Sequence, residues 1–227
     1  MGGIGKTALS VKLAQQIQAK FERVIWRSLR NAPPLETLLA DLIPFLSNQQ
    51  ENKTEIGRFI HYLRASRCLL ILDNLETILD AQQAGQFRAG YEGYGELLRV
   101  VGEAAHQSCL ILTSREKPAE IAAFEGVELA VRSLRLGGSP EAAQAILQAK
   151  GLNGAEAQKQ ELCDRYGNSP LALKIVATSI QDLFDGEIGE FLKQETAVFN
   201  GIRRLLNQQF NRLCPLEKTI MYWLAIN

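Results

Sequence analysis

Met1-Gly2-Gly3-Ile4-Gly5-Lys6-Thr7-Ala8-Leu9-Ser10 opens the chain, and its reading decides the fold. Gly5, Lys6 and Thr7 are the second half of the pattern G-x-x-x-x-G-K-[ST], in which glycine-rich backbone wraps phosphate before a helix. Successive N–H groups in such a turn form a concave anion nest, and the following helix adds its positive N-terminal end. A Cβ in the loop blocks the close approach of backbone to phosphate, hence the glycines. The loop contacts expected are Gly2, Gly3, Ile4, Gly5, Lys6, Thr7 and Ala8. Lys6 reaches the β- and γ-phosphates, and the Thr7 hydroxyl ligates Mg2+. The pattern's first glycine falls one position before Met1, and an apolar strand is due before that. The reading therefore expects a chain cut short at its start.

Outward from the loop, apolar residues at Leu9, Leu13, Ile17 and Phe21 make one helical stripe. RVIWRSL (23–29) is rich in β-formers and predicts a short buried strand. LETLLADLIPFL (35–46) predicts a helix bent or ended at Pro44. Thr54 to Arg64 sets Ile56, Phe59, Ile60 and Leu63 on one helix face. CLLILD (68–73) is continuously apolar up to Asp73, as in a central parallel strand covered on both faces. Residues 81–95 predict a loop, 95–105 a helix, SCLILTSRE (108–116) a second continuous strand, and GVELAVRSL (126–134) a weaker one. Helices alternating with strands argue for an α/β, doubly wound parallel sheet.

The texture changes near Gly138. Beyond it the sequence predicts helices at 140–151 (Pro start, Gly stop), 155–167, 169–183, 187–195 and 199–213, and a further one from Pro215. The expected domains are a nucleotide-binding α/β domain over 1–138, a small all-α domain over 139–212, and the start of another subdomain over 213–227.

Bulk properties bound the function. The 227 residues carry 25 Lys+Arg and 25 Asp+Glu, so net charge gives no ground for a nucleic-acid or acidic-membrane partner. No apolar stretch approaches the ~20 residues of a membrane helix. Cys68, Cys109, Cys163 and Cys214 form no C-x-x-C pair; Cys68 and Cys109 open apolar strands, where a thiol acts as a small hydrophobe. His61 and His106 lack metal-ligand spacing. The expected setting is reducing and cytoplasmic.

Three further stretches carry chemistry. Asp73 ends a buried strand at the carboxyl edge of the sheet, where such folds bind ligands, and there it can hold the Mg2+ that bridges the phosphates. Asn74 follows where an acidic residue is the better candidate base. Glu76 is the nearby acid, so either Glu76 polarises the attacking water or hydrolysis is weak. Arg115, after the second continuous strand, is placed to contact the γ-phosphate, with Thr113 and Ser114 orienting it. In YGNSPLALK (166–174), Asn168 or Ser169 caps a helix and Pro170 fills its first position. The catalytic candidates are Lys6, Asp73, Glu76 and Arg115, and the metal candidates are Thr7 and Asp73.

Taken in order, GGIGKT, LLILDN, LTSR and GNSPLAL resemble the NB-ARC domain of the STAND class of P-loop NTPases, in its bacterial, cyanobacterial-like multidomain form. The resemblance covers nearly the whole chain. It implies that Pro170 lies against the adenine, that Arg115 is the sensor arginine, and that Trp26 and Arg27 belong to the family's second strand. It also implies that 139–212 is the helical ARC segment and that 213–227 begins a winged helix, cut off before the family's β-phosphate-sensing histidine. The implied function is an ADP/ATP switch with Mg2+, locked by ADP and reset by slow hydrolysis, Asp73-Asn74 standing where the family has Asp-Asp. Implied partners are adenine nucleotide, flanking effector and sensor domains, often with WD-type repeats downstream, and self-association when ATP is bound. Competing readings are an AAA+-like remodelling ATPase, the nucleotide-binding module of a transcription regulator, and a degenerate interaction module.

Overall fold

The computed structural model describes residues 2–193, 206–207, 210–211 and 213–226. The chain divides into two compact units: Lys6–Leu134, and Met1–Gly5 together with Arg135–Asn227.

The first unit is an α/β layer built on three parallel strands in the order β1-β2-β3: β1 Arg23–Ser28, β2 Cys68–Asp73 and β3 Cys109–Leu112. Every residue of β2 is buried, because it is paired on both sides and covered on both faces. Register is fixed from Arg23↔Cys68 to Ser28↔Asp73 on one side, and from Leu69↔Cys109 to Leu72↔Leu112 on the other. Three strands thus end together, placing Ser28, Asp73 and Thr113 along one carboxyl edge.

Helices α1 (Lys6–Ile17), α2 (Leu35–Leu46), α3 (Ile56–Ala65), α4 (Glu92–Glu103) and the short α5 (Ala119–Phe124) complete this unit. Its core joins Phe59, Leu63, Leu70, Leu72, Tyr94 and Leu98, all buried. α2 runs through Pro44 and stops two residues later, since a proline in the last turn forfeits one N–H bond without blocking the residues before it. α4 begins at Glu92, three residues earlier than expected. Tyr94 is drawn into the core, where its hydroxyl donates to the Pro33 carbonyl at 2.9 Å.

One sequence expectation fails in this unit. Residues 126–134 form no strand: among the described residues their only ladder contact is the bridge Glu125↔Val131, and Val127, Leu129 and Leu134 are exposed. An extended segment becomes a strand only with a partner, and among the described residues β3 pairs with β2 alone. The stripe from Leu9 to Ile17 lies on α1 as expected, with Phe21 beyond its end. Leu9 and Leu13 are exposed, and Ser10 is the helix's buried residue.

The second unit is helical: α6 Pro140–Ala149, α7 Glu156–Arg165, α8 Pro170–Phe184, α9 Ile188–Leu192 and α10 Pro215–Ile226. Leu147, Leu162, Leu173, Val176, Ile180 and Phe191 form a separate buried core. Ser139 caps α6, its hydroxyl accepting from Ala142 N–H at 3.1 Å, with Pro140 in the first turn. α10 exposes Leu216, Ile220, Met221, Tyr222, Trp223 and Leu224. Most of the helix expected over 199–213 lies outside the described residues. No helix among the described residues is long and apolar enough to cross a membrane.

Candidate nucleotide site

The glycine loop turns through left-handed backbone at Gly3 (φ 74°) and Gly5 (φ 102°), and Lys6 and Thr7 open α1 directly after it. These conformations are cheap for glycine and strained for other residues, so this sequence is required for the turn. α1 is twelve residues long, and the first N–H groups of any helix have no acceptor within the helix itself.

Thr7 and Asp73, 66 residues apart, meet. The Thr7 hydroxyl donates to Asp73 Oδ1 at 2.9 Å and lies 3.1 Å from Oδ2. A hydroxyl whose proton is committed to a carboxylate turns its lone pairs outward, as a cation ligand must. Mg2+ takes oxygen ligands, commonly one or two from protein with phosphate and water completing the octahedron. Thr7 and Asp73 therefore fit the ion: Thr7 supplies a hydroxyl oxygen and Asp73 a charge. The ion would supply charge neutralisation between phosphates.

Asp73 is 5% exposed and is held from three sides. Its backbone carbonyl accepts from Leu29 N–H at 2.8 Å. Its Oδ1 also accepts a short hydrogen bond from the Thr113 hydroxyl. Thr113 in turn accepts from Asn74 N–H at 3.1 Å, so its hydroxyl serves Asp73 and Asn74 and does not orient Arg115 as the sequence predicts. The pointer to this contact was the strand register: Leu72 pairs with Leu112, so Asp73 and Thr113 come next on adjacent strands.

Asn74 takes a left-handed conformation (φ 65°), which Asn tolerates better than most residues, and its Oδ1 lies 3.4 Å from the Ser28 hydroxyl. The turn carries Glu76 into the interior. There Glu76 pairs with Arg115, Nε to Oε1 at 3.0 Å, while Glu76 Oε2 is buried with no hydrogen-bond partner. The structure thus brings two catalytic candidates onto each other.

In the second unit, Pro170 occupies the first turn of α8 and is half-buried. Leu171 N–H, one of the helix's orphan donors, donates to the Gly3 carbonyl at 3.3 Å. The loop glycine and the Pro170 turn are therefore neighbours. Ser169 stands at the N-cap, but its side chain makes no capping bond; Asn168 is left-handed (φ 53°) and its Oδ1 is buried without a partner. The expected side-chain cap is absent because Gly167 and Asn168 both turn left-handed to end α7, which commits this junction to backbone bonds.

A glycine loop opening a helix, whose hydroxyl meets a carboxylate at the end of a central parallel strand, is the arrangement of a P-loop nucleotide-binding module. Residues 1–153 match the model of the NB-ARC domain. The chain belongs to the NB-ARC family. It is 54% identical over 247 residues to a protein of Nostoc sp. described as an uncharacterized WD repeat-containing protein. That alignment takes in all of this chain but only 20% of the relative, so the chain spans one fifth of the curated protein it matches.

Proposed function

We propose that this chain is the adenine-nucleotide switch of a multidomain STAND signalling protein. ADP holds the closed state, ATP replaces it, and slow hydrolysis resets the switch. The observation that carries the reading is the Thr7–Asp73 contact, which sets a hydroxyl and a carboxylate side by side for Mg2+. Lys6 serves the β- and γ-phosphates, Gly2 to Ala8 wrap them, and Pro170 packs on the adenine. Slow turnover is supported by Asn74 next to Asp73 and by the pairing of Glu76 with Arg115, which points the carboxylate at a guanidinium instead of at a water molecule. In this reading 139–212 is the ARC-like segment and α10 begins the winged helix. Effector and sensor domains belong to the rest of the longer protein, as the WD-repeat relative suggests.

A switch of this kind moves only as far as ADP and ATP differ in affinity for its two states. The test is the nucleotide carried by purified protein, released by denaturation and identified by chromatography. The expectation is near-stoichiometric ADP, lost in Lys6→Ala, with steady-state turnover well below that of a motor enzyme. Rapid turnover from a ring assembly would favour the remodelling ATPase, and absence of adenine nucleotide even after adding ADP would leave a degenerate module.

A further inference from the structure

We infer that Thr113 is a positioning residue for the metal-binding carboxylate. It aims Asp73 at Mg2+ without touching the ion itself. The inference rests on the nucleotide reading above and assigns a role within the same site.

The argument is a count of protons and lone pairs. A threonine hydroxyl has one proton and two lone pairs, and a carboxylate has about four acceptor positions. Asp73 Oδ1 receives both Thr7 and Thr113; among the described residues Oδ2 is approached by Thr7 alone, at 3.1 Å. The free acceptor capacity of the carboxylate is thus concentrated on Oδ2. Thr7 is exposed and among the described residues it only donates, so its oxygen is open to a cation. Thr113 differs on each count. It is 6% exposed, its proton is on Oδ1, and it accepts from Asn74 N–H at 3.1 Å.

Its backbone is pinned as well. Thr113 N–H donates to the Leu72 carbonyl at 3.0 Å, and its own carbonyl accepts from Leu75 N–H at 2.9 Å. The side chain is therefore clamped across the Asp73–Asn74 peptide. A buried charge-assisted bond to one oxygen sets the carboxylate's rotation, and hence which lone pairs meet the metal.

The test measures the affinity of a fluorescent ADP in Mg2+ and in EDTA, for the wild-type chain, Thr113→Val, Thr113→Ala and Thr113→Ser. Removing the hydroxyl should reduce the Mg2+-dependent gain in affinity by five-fold or more and leave affinity in EDTA within two-fold. Both Val and Ala should do so, which guards against a folding defect peculiar to one of them, and Ser should restore most of the gain. Equal losses in Mg2+ and in EDTA, or a full Mg2+ gain in Thr113→Val, would overturn the inference while leaving the nucleotide reading intact. A wild-type chain that binds no ADP in either buffer sinks both.

Discussion

Glu76 and Arg115 neutralise each other in a half-enclosed ion pair. The guanidinium Nε lies 3.0 Å from Glu76 Oε1, with the Glu76 side chain 4% exposed and Arg115 30%. Glu76 is shut away from water while the pair holds, whereas Arg115 stays partly exposed and keeps further N–H donors, so the base role and not the sensor role waits on the pair opening.

Opening that pair by mutation should be asymmetric. Arg115→Ala strands a buried carboxylate, whereas Glu76→Gln keeps the shape and removes the charge. Stranding a buried charged partner costs about 1–3 kcal/mol or more, so Arg115→Ala should lower the unfolding free energy further than Glu76→Gln. A double-mutant cycle in urea should give a coupling of about 0.5–3 kcal/mol, and a coupling of zero would mean that the pair contributes nothing to the fold.

Gly3 should tolerate no side chain. A Cβ there would sit 2.4 Å from Leu171 Cβ, on backbone at φ 74°. Gly5, at φ 102°, has nothing within 4 Å of the same position. Both alanine variants bear left-handed strain of about 1–3 kcal/mol, but only Gly3→Ala adds a steric collision. Thermal unfolding should rank Gly3→Ala below Gly5→Ala.

Thr7→Val and Asp73→Asn should each remove the Mg2+-dependent part of nucleotide affinity, roughly ten-fold or more, about 1.4 kcal/mol. Thr7→Ser should retain it. Titration of labelled ADP in Mg2+ and EDTA separates this from a general loss of binding.

The cysteines should label in two groups. Cys68 and Cys163 are buried, and burial pushes both thiols up from their ordinary value. They should stay silent to a thiol reagent until the chain unfolds. Cys109 is exposed at the residue level, and desolvation raises its thiol as well. A raised pKa means less thiolate at a given pH, so its labelling rate should keep climbing above the usual thiol range near 8.5. Mass spectrometry of labelled peptides across pH 7–10 reads both effects.

Much of the α/β layer could be read from residues alone, because continuous apolar runs such as CLLILD and the loop GGIGKT carry local signals. Helices α6 to α8 are equally plain: α6 has a Pro start and a Gly stop, α7 a Gly stop, and α8 a Pro start. What failed depended on distant partners. Residues 126–134 have strand-like composition, but composition provides no neighbouring edge. The Glu76–Arg115 pair and the clamp on Asp73 join segments about forty residues apart, and only the parallel register says which side chains meet.

That register also acts as a ruler. Ser28, Asp73 and Thr113 come level because β1, β2 and β3 are locked at Ser28↔Asp73 and Leu72↔Leu112. Side chains alternate faces, so a slip of one residue in β2 would carry Leu72 to the edge and turn the acid away. An insertion or deletion between Cys68 and Asp73 would therefore disarm the protein without changing a single polar group. Any chimera that exchanges this strand must keep its count of six residues, whatever hydrophobic side chains it uses.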